Sequence, residues 1–170
     1  MPPPLMCDVT AFDFEHPLYD LEAIRRVNPQ RDAMEQLTGI VHVDPSQHLI
    51  VGFKDLSPNE FWIRGHMPGY PLMPGVLMCE CAAQLGGFYA RSQKLIDGDY
   101  VGFGGIDEVR FRAPVFPGDR LILAARVTKL RLKVRAHFDF QGVVGDRLVV
   151  HGTIIGTAIQ RQEPAGEGPL

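Results

Sequence analysis

The chain has 170 residues, and its apolar fraction of 45% is enough for one folded domain with a substantial core. A net charge of −3 and a pI near 6.0 argue against a globally basic surface for nucleic acid. Three cysteines, Cys7, Cys79 and Cys81, fit neither a disulfide framework nor the spacing of a zinc knuckle.

The N-terminal part of the chain predicts short helical segments followed by two strands. Asp20 is the expected N-cap of a helix over residues 21–27, which Pro29 would end. A further helical turn is expected around residues 31–37. Runs rich in Val and Ile predict two strands joined by a turn, at residues 40–43 and 48–53.

Residues 57–75 predict a helix start followed by a stiff loop. The run Ser57-Pro58-Asn59-Glu60 matches a capping box with proline at the first helical position, so a short helix is expected there. Residues 65–75 then read GHMPGYPLMPG, with three glycines and three prolines. Because proline fixes φ and glycine permits unusual backbone conformations, we expect a rigid loop of specific shape that carries His66 near its start.

An apolar helix is expected to follow, beginning near Pro74 and Gly75. Glu80 is its one acidic side chain, and Gln84 lies one turn later on the same face. Apolar surroundings favour the neutral form of a carboxyl group, which can then donate a proton at neutral pH. With about 15 residues, the helix is shorter than the roughly 20 needed to cross a membrane, and no membrane partner is expected.

The C-terminal half is rich in Val, Ile, Phe and Leu and predicts four strands, at residues 101–112, 120–130, 133–141 and 147–159. Sequential strands with short turns indicate an antiparallel sheet, and a helix that is apolar on all sides must be enclosed. We therefore expect an α+β fold, an antiparallel sheet of five or six strands wrapped around one long central helix.

The domain organisation expected from composition is simple. A proline-rich, flexible segment over residues 1–10 precedes a single domain over 11–160, and a disordered tail covers 161–170. The start of the chain lacks the basic and apolar regions of a signal peptide, and the cysteines fit reduced thiols. A cytoplasmic location is expected.

The loop and the helix together offer a set of groups for acid–base chemistry. His66 could remove a proton alpha to a carbonyl, and Glu80 could protonate a hydroxyl that leaves from the beta carbon. Free N–H groups at Gly75 and Val76, at the helix start, could polarise the carbonyl oxygen. Each side chain also has an ordinary structural interpretation, Glu80 in an ion pair and His66 as a loop-shaping residue.

The segment FWIRGHMPGYPLMPGVLMCECAAQ resembles the signature of the beta-hydroxyacyl-[acyl-carrier-protein] dehydratases, hot-dog enzymes of fatty acid synthesis. That family combines a GHFPxxPxMPGV loop with an EA-x-AQ helix. A second block, GIDEVRFRAPVFPGDRL over residues 105–121, resembles another conserved stretch of the family, and the resemblance covers roughly residues 20–160. The family's PHRYPF block, which helps to close its acyl tunnel, is replaced here by residues 29–34, PQRDAM.

The resemblance implies a hydro-lyase that converts a (3R)-3-hydroxyacyl-[acyl-carrier-protein] into the trans-2-enoyl thioester without a metal or organic cofactor. It implies that His66 is the general base, that Glu80 is the general acid and that Gly75 donates its N–H to the thioester carbonyl. Val76 and Gln84 are the further substrate-binding candidates. It also implies a homodimer whose two catalytic side chains come from opposite subunits, often associated further into hexamers.

An acidic carrier protein would need a basic docking surface. Basic residues alternate with apolar ones over residues 129–135, which on a single strand would place four charges on one face: Lys129, Arg131, Lys133 and Arg135. Arg110 and Arg112 form a similar pair. An ordinary solvated strand face is the alternative interpretation.

Two other functions are open at this point. One is a hot-dog thioesterase, in which Glu80 would activate water and the product would be a free thiol. The other is a non-catalytic hot-dog protein that binds acyl chains or serves as a scaffold. The presence of both His66 and Glu80 argues against the second, whereas the altered block at 29–34 keeps it open.

Overall fold

A computed structural model describes residues 2–162 of the chain. Its helices and strands are α1 (Leu21–Arg25), β1 (Gly39–Asp44), β2 (Leu49–Asp55), α2 (Gly75–Ser92), β3 (Tyr100–Phe111), β4 (Arg120–Arg131), β5 (Arg135–Val144) and β6 (Arg147–Ile159). Two 3₁₀ turns are formed by Val9–Ala11 and Asp32–Met34. The predicted strands and the long helix are confirmed, and Asp20 caps α1 through its side chain. No helix within residues 2–162 combines the length and the hydropathy that a membrane crossing requires.

The six strands form one antiparallel sheet in the order β1-β2-β4-β5-β6-β3. Pairing follows the chain except at β3, which pairs with β6 and therefore forms one edge of the sheet. At the other edge, β1 is partly covered, because the backbones of Tyr19 and Ile40 exchange two hydrogen bonds of 3.0 and 2.9 Å. Along the free side of β3, the described residues provide no such cover.

Helix α2 is enclosed by the sheet, since it contacts each of the strands from β2 to β6. The centre of the core is aromatic: Phe88 and Tyr89 of α2 and Phe138 and Phe140 of β5 are all fully buried. Burial of such large side chains is the main favourable term for the packing of the helix on the sheet. A sheet wrapped around one long helix is the hot-dog architecture expected from the sequence.

The N-terminal residues cover part of the opposite face of the sheet. Val9 packs there with the outward side chains of β2, among them Val51 and Phe53. The backbone N–H of Met6 donates to Gln141 Oε1 at 2.8 Å. The predicted domain boundaries, with a flexible segment 1–10 and a tail 161–170, stay a prediction, and residues 163–170 lie outside the described part of the chain.

The short helix predicted from the capping box at residues 57–60 is wrong, because this segment forms turns. One capping contact is present, since the Ser57 N–H donates to Glu60 Oε1 at 3.2 Å. The same oxygen, however, lies 3.2 Å from the Nζ of the buried Lys54. The next turn closes from Ile63 N–H to the Glu60 carbonyl, and the Gly- and Pro-rich loop begins before a second helical turn can form.

The single strand with four basic charges on one face is also wrong. Arg131 ends β4 and Arg135 begins β5, so the residues between them form a hairpin turn. Lys133 lies at the tip of this turn with φ of 69°, and its Nζ donates to Asp97 Oδ1 at 3.0 Å. Alternation of basic and apolar residues suggested one charged face, although the predicted strand bounds, 120–130 and 133–141, already placed a break between Leu130 and Lys133.

We expect Gly152→Ala to destabilise the sheet where β6 meets β3. A Cβ at this position would lie 2.9 Å from the backbone Cα of Val109 and 3.1 Å from the carbonyl oxygen of Asp107. Since backbone must move to admit the methyl group, the free energy of unfolding should fall by about 1–3 kcal/mol in urea titrations.

Gly65→Ala is the matched control, because a Cβ there meets no atom within 4 Å. Its free energy of unfolding should stay within about 0.5 kcal/mol of that of the original protein. Equal losses in the two variants would contradict the close approach of β3 to Gly152.

Candidate active site

His66 lies near the start of a loop that is fixed at two buried anchors, Trp62 and Met73. Its backbone N–H donates to the carbonyl of Trp62 at 2.8 Å. In the middle of the loop, the backbones of Met67 and Tyr70 exchange two hydrogen bonds of 2.8 and 3.2 Å. The composition of the loop predicted this rigidity, and the result is a fixed position for the imidazole.

Among the described residues, Nε2 of the His66 ring has no hydrogen-bond partner, so it could act as a base. Nδ1 lies 2.8 Å from the carbonyl oxygen of Leu72. A carbonyl oxygen only accepts hydrogen bonds, so Nδ1 carries the hydrogen atom and donates it. In the neutral ring the lone pair is then on Nε2, which is the arrangement that general-base catalysis requires. The ring lines a cavity of about 520 Å³.

The start of α2 opens into the same cavity through Gly75 and Val76. The first N–H groups of a helix have no hydrogen-bond partner within the helix, and they lie at the positive end of the helix dipole. A Cβ on Gly75 would lie 2.8 Å from the ring of Phe111, so only glycine fits without displacing that ring. The cavity therefore combines an imidazole with backbone donors that could stabilise a developing negative charge.

Glu80 and Gln84 form a hydrogen-bonded pair one turn apart on α2. The Nε2 group of the buried Gln84 donates to Glu80 Oε1 at 2.8 Å and to the carbonyl of Met34 at 2.7 Å. Gln84 Oε1 accepts from the Gln36 N–H at 2.9 Å. Three hydrogen bonds hold the Gln84 amide in place, and one of them also holds an oxygen of the partly buried Glu80 carboxyl group. Within residues 2–162, Glu80 Oε2 has no hydrogen-bond partner.

Glu80 lines a second, smaller cavity of about 70 Å³. This cavity lies between α2 and the strands β3, β5 and β6, and His66 is not part of its wall. Within one protomer the structure thus brings His66, Gly75 and Val76 together in one place. Glu80 and Gln84 lie together in another, and the two groups do not share a cavity.

Sequence reasoning assigned no role to Gln30, which lies in the wall of the Glu80 cavity. Its Oε1 is buried and makes no hydrogen bond to any described residue. The neighbouring Asn28 donates from Nδ2 to the carbonyl of Gln84 at 3.0 Å. The departure from PHRYPF at residues 29–34 was the signal that could have identified this segment, because it packs beside the acidic residue.

The two cysteines beside Glu80 are poor candidates for a nucleophile. Burial raises the pKa of Cys79 to about 11 and that of Cys81 to about 12. The thiolate is the reactive form of cysteine, and raised pKa values keep both thiols protonated near neutral pH. The imidazole of His66 and the carboxyl group of Glu80 therefore stay the candidates for acid–base chemistry here.

The chain is similar in sequence to known proteins of one family. A family model described as a FabA-like domain matches residues 28–153. The 3-hydroxyacyl-[acyl-carrier-protein] dehydratase FabZ of Hydrogenobaculum sp. is 38% identical over 141 residues, which cover 82% of this chain and 94% of that protein. The bifunctional enzyme LpxC/FabZ of Chlorobaculum tepidum is 36% identical over 146 residues, which cover 85% of this chain but only 31% of that longer protein.

Among solved structures, the dehydratase heterocomplex ApeI:P from Xenorhabdus doucetiae aligns with a TM-score of 0.66. The alignment covers 80% of this chain and 90% of the other, at 16% sequence identity. Identity at this level supports the fold alone. The sheet and helix described above therefore have a solved counterpart over most of the chain.

We expect Gln84→Leu to destabilise the protein and to loosen residues 28–36 from α2. The change leaves the Gln36 N–H and the Met34 carbonyl without their buried partner. Loss of buried hydrogen bonds of this kind costs about 1–3 kcal/mol, measurable by urea denaturation. Hydrogen exchange of the Gln36 amide should accelerate in the same variant.

Gln36→Leu is a matched control, because this side chain is equally buried but its Oε1 has no partner in the described part of the chain. It loses a single side-chain bond, from Nε2 to the Ala33 carbonyl. A loss of stability as large as that of Gln84→Leu would contradict the central role of the Gln84 amide.

Proposed function

The chain belongs to the FabA-like family, and on that premise we propose that it is a hydro-lyase that dehydrates (3R)-3-hydroxyacyl-[acyl-carrier-protein] to the trans-2-enoyl thioester in fatty acid biosynthesis. The observation that carries this proposal is the His66 ring, whose Nε2 is free beside the backbone donors of the α2 start. Removal of a proton next to a thioester carbonyl needs this combination of a base and oxyanion donors.

In the first half of the reaction, His66 Nε2 takes the proton from C2 of the acyl chain. The N–H of Gly75, with that of Val76 beside it, donates to the thioester oxygen as negative charge develops there. The Leu72 carbonyl holds the Nδ1 hydrogen and so fixes the ring in this tautomer. It also stabilises the imidazolium that forms.

In the second half, Glu80 acts as the general acid and gives a proton from Oε2 to the C3 hydroxyl. The C3–O bond breaks, water leaves, and the electron pair of the former C2–H bond forms the C2–C3 double bond. The donor bond from Gln84 occupies Oε1, which leaves Oε2 as the oxygen that carries the transferable proton. Return of the proton from His66 to Glu80 through solvent restores the starting state.

A complete site on this proposal needs two copies of the chain. His66 and Glu80 line different cavities of one protomer, so the imidazole of one copy would have to meet the carboxyl group of its partner. Edge strand β3 is the surface that supports this pairing. Phe103 and Ile106 are both about half exposed on it, at 49% and 46%.

The register of β3 shows why these two side chains point the same way. Phe103 is opposite Gly156 and Ile106 is opposite Ile154, and a bulge between Phe103 and Gly105 inserts the extra residue. Ile154 is buried in the core around α2, so both exposed side chains lie on the helix side of the sheet. A second copy across this edge would cover them, and a trimer of such dimers is the larger assembly we propose.

The basic residues near His66 are better placed to bind an acidic carrier protein than the basic residues of the β4–β5 hairpin. Arg112 lies in the rim of the His66 cavity, and Arg110 lies two residues earlier on β3. Positive charge at the mouth of a site attracts an acidic partner and raises its association rate. The cytoplasmic location expected from the sequence stays a prediction.

We expect His66→Ala and Glu80→Gln each to lower turnover of a 3-hydroxyacyl carrier substrate by about 10²–10⁴-fold, the usual contribution of a general base or acid. Mass spectrometry of the product provides the measurement. An enoyl thioester supports the dehydratase, a free thiol would instead identify a thioesterase, and absence of both would indicate an acyl-binding or scaffold protein.

Coexpression of the two inactive variants tests whether the site is shared between subunits. In a mixed dimer, one site combines both substitutions and the other contains an intact His66 and an intact Glu80. Random pairing should therefore restore about a quarter of the original activity, as expected for an isologous dimer. The control is a chain that carries both substitutions, mixed with the original chain. Failure of the two single variants to recover activity on coexpression would contradict a site shared between subunits.

We expect Ile106→Glu to weaken dimer formation and to lower activity with it. A charged side chain in a desolvated interface is unfavourable unless it is paired, so the dimer dissociation constant should rise by at least about tenfold. Sedimentation at several protein concentrations measures the change. Leu18→Glu, at another exposed apolar residue that lies far from β3 in the chain, is the control and should leave the oligomer unchanged.

A further inference from the structure

The side chain of Gln30 has a buried oxygen for which the protomer provides no partner. Its Oε1 is shielded from solvent and makes no hydrogen bond to any described residue. An unsatisfied buried acceptor costs stability, so its presence requires an explanation. Gln30 also lies in the wall of the cavity that contains Glu80. A ligand that enters this cavity could therefore supply the missing hydrogen bond.

The segment around Gln30 is held in place by the guanidinium group of Arg31. This group donates to three backbone carbonyls, those of Arg25 at 2.9 Å, Asn28 at 2.8 Å and Gln30 at 2.5 Å. The side chain of the buried Asn28 in turn donates to the carbonyl of Gln84 at 3.0 Å. Because three bonds stiffen the segment and the fourth attaches it to α2, the backbone of Gln30 has a fixed position beside the helix.

A hydroxyl group in this cavity needs two kinds of hydrogen-bond partner. It has one hydrogen atom to donate and two lone pairs that accept. In the proposed reaction Glu80 Oε2 supplies a proton to one lone pair, so the hydroxyl hydrogen needs an acceptor of its own. Among the described residues of the cavity wall, Glu80 and Gln30 are the two with polar side chains. Gln30 Oε1 is therefore the side-chain acceptor available to that hydrogen.

We propose that Gln30 is a substrate-binding residue whose Oε1 accepts a hydrogen bond from the C3 hydroxyl of the substrate. The inference rests on the proposed function, in which Glu80 protonates the same hydroxyl. As the proton arrives and the C3–O bond breaks, this oxygen gains positive character and leaves as water, with its original hydrogen still bonded to Gln30. A hydrogen bond from such a group is stronger, so the contact stabilises the transition state more than the bound substrate.

The first test compares pantetheine thioesters that differ by one hydroxyl group, 3-hydroxybutyryl with butyryl and 3-hydroxyoctanoyl with octanoyl. Calorimetry measures their binding to chains that also carry His66→Ala, which prevents turnover on the proposed function. With Gln30 intact, the hydroxylated ligand should bind more tightly. Gln30→Met keeps the length of the side chain but removes the strong acceptor, so this preference should fall by about 3- to 10-fold.

The second test measures turnover and stability of Gln30→Met with an intact His66. The kcat for a 3-hydroxyacyl carrier substrate should fall by about 10- to 150-fold, because hydrogen bonds to charged groups are worth more than those to neutral ones. The thermal unfolding midpoint should be at or above that of the original protein, since the change removes an unsatisfied buried oxygen. A residue that serves only packing would show the opposite pattern, with reduced stability.

Two further variants serve as controls. Gln36 lies in the same part of the chain and also has a buried, unpaired Oε1 within the described residues, but it is not part of the cavity wall. Gln36→Met should therefore leave the hydroxyl preference unchanged. Gln30→Glu retains an acceptor oxygen at the same distance from the backbone and should retain the preference, which keeps the proposal testable if Gln30→Met fails to fold.

Three outcomes would overturn the inference. Absence of any hydroxyl preference in the chain with intact Gln30, or an unchanged preference in Gln30→Met, would show that the hydroxyl hydrogen has another partner. Equal weakening of both ligands in Gln30→Met would show a structural role. Such a role would be exerted through the neighbouring cavity of about 10 Å³ that Gln30 borders together with Asn28 and Gln84, which has room for no more than one water molecule.

The two measurements separate this contact from the reaction itself. If the original chain forms no enoyl product but Gln30→Met removes the hydroxyl preference, the dehydratase proposal fails and the contact stands. If enoyl product forms and Gln30→Met changes neither the preference nor kcat, the dehydratase proposal stands and the contact fails.

Discussion

The position of the acidic half of the site depends on one buried amide. Helix α2 is enclosed by the sheet, and polar groups there must find partners because water is excluded. Gln84 satisfies this requirement through both ends of its side chain, with bonds to Glu80, Gln36 and the carbonyl of Met34. These hydrogen bonds satisfy the polar atoms of the buried Gln84 side chain, and they also attach residues 28–36 to the helix. The Gln84 amide therefore holds both the wall of the Glu80 cavity and the orientation of the Glu80 carboxyl group.

The basic half of the site is held by a different kind of contact. The buried Lys54 of β2 pairs with Glu60 at 3.2 Å, and the turn that contains Glu60 leads directly to the buried Trp62. An ion pair in such a place adds little net stability, but loss of either partner would leave an unpaired buried charge. The pair therefore specifies where the turn begins, and Trp62 then fixes the backbone of His66.

Much of the fold could be predicted from the sequence, whereas the roles of His66, Gly75 and Glu80 stay a prediction. Residue patterns identified all six strands and α2, and the Gly- and Pro-rich composition of the loop indicated its rigidity. The location of β3 could not be predicted in this way, because its pairing with β6 depends on contacts far apart in sequence. The capping box failed for a related reason: Glu60 makes its local contact but is also drawn toward Lys54 of the preceding strand.

The separation of His66 from Glu80 follows from the positions of the loop and of α2 in the fold. Glu80 faces the space beside edge strand β3, because other parts of α2 pack against strands and against residues 28–36. The loop before the same helix opens into a different cavity, at the helix start, whose wall includes Phe111 at the end of β3. One copy of the chain therefore holds the Glu80 carboxyl group and the His66 imidazole in separate cavities. On the proposed function, edge-to-edge association of two copies brings the two groups together. On the proposed function, the exposed side chains of β3 are then as necessary to catalysis as the groups that move protons.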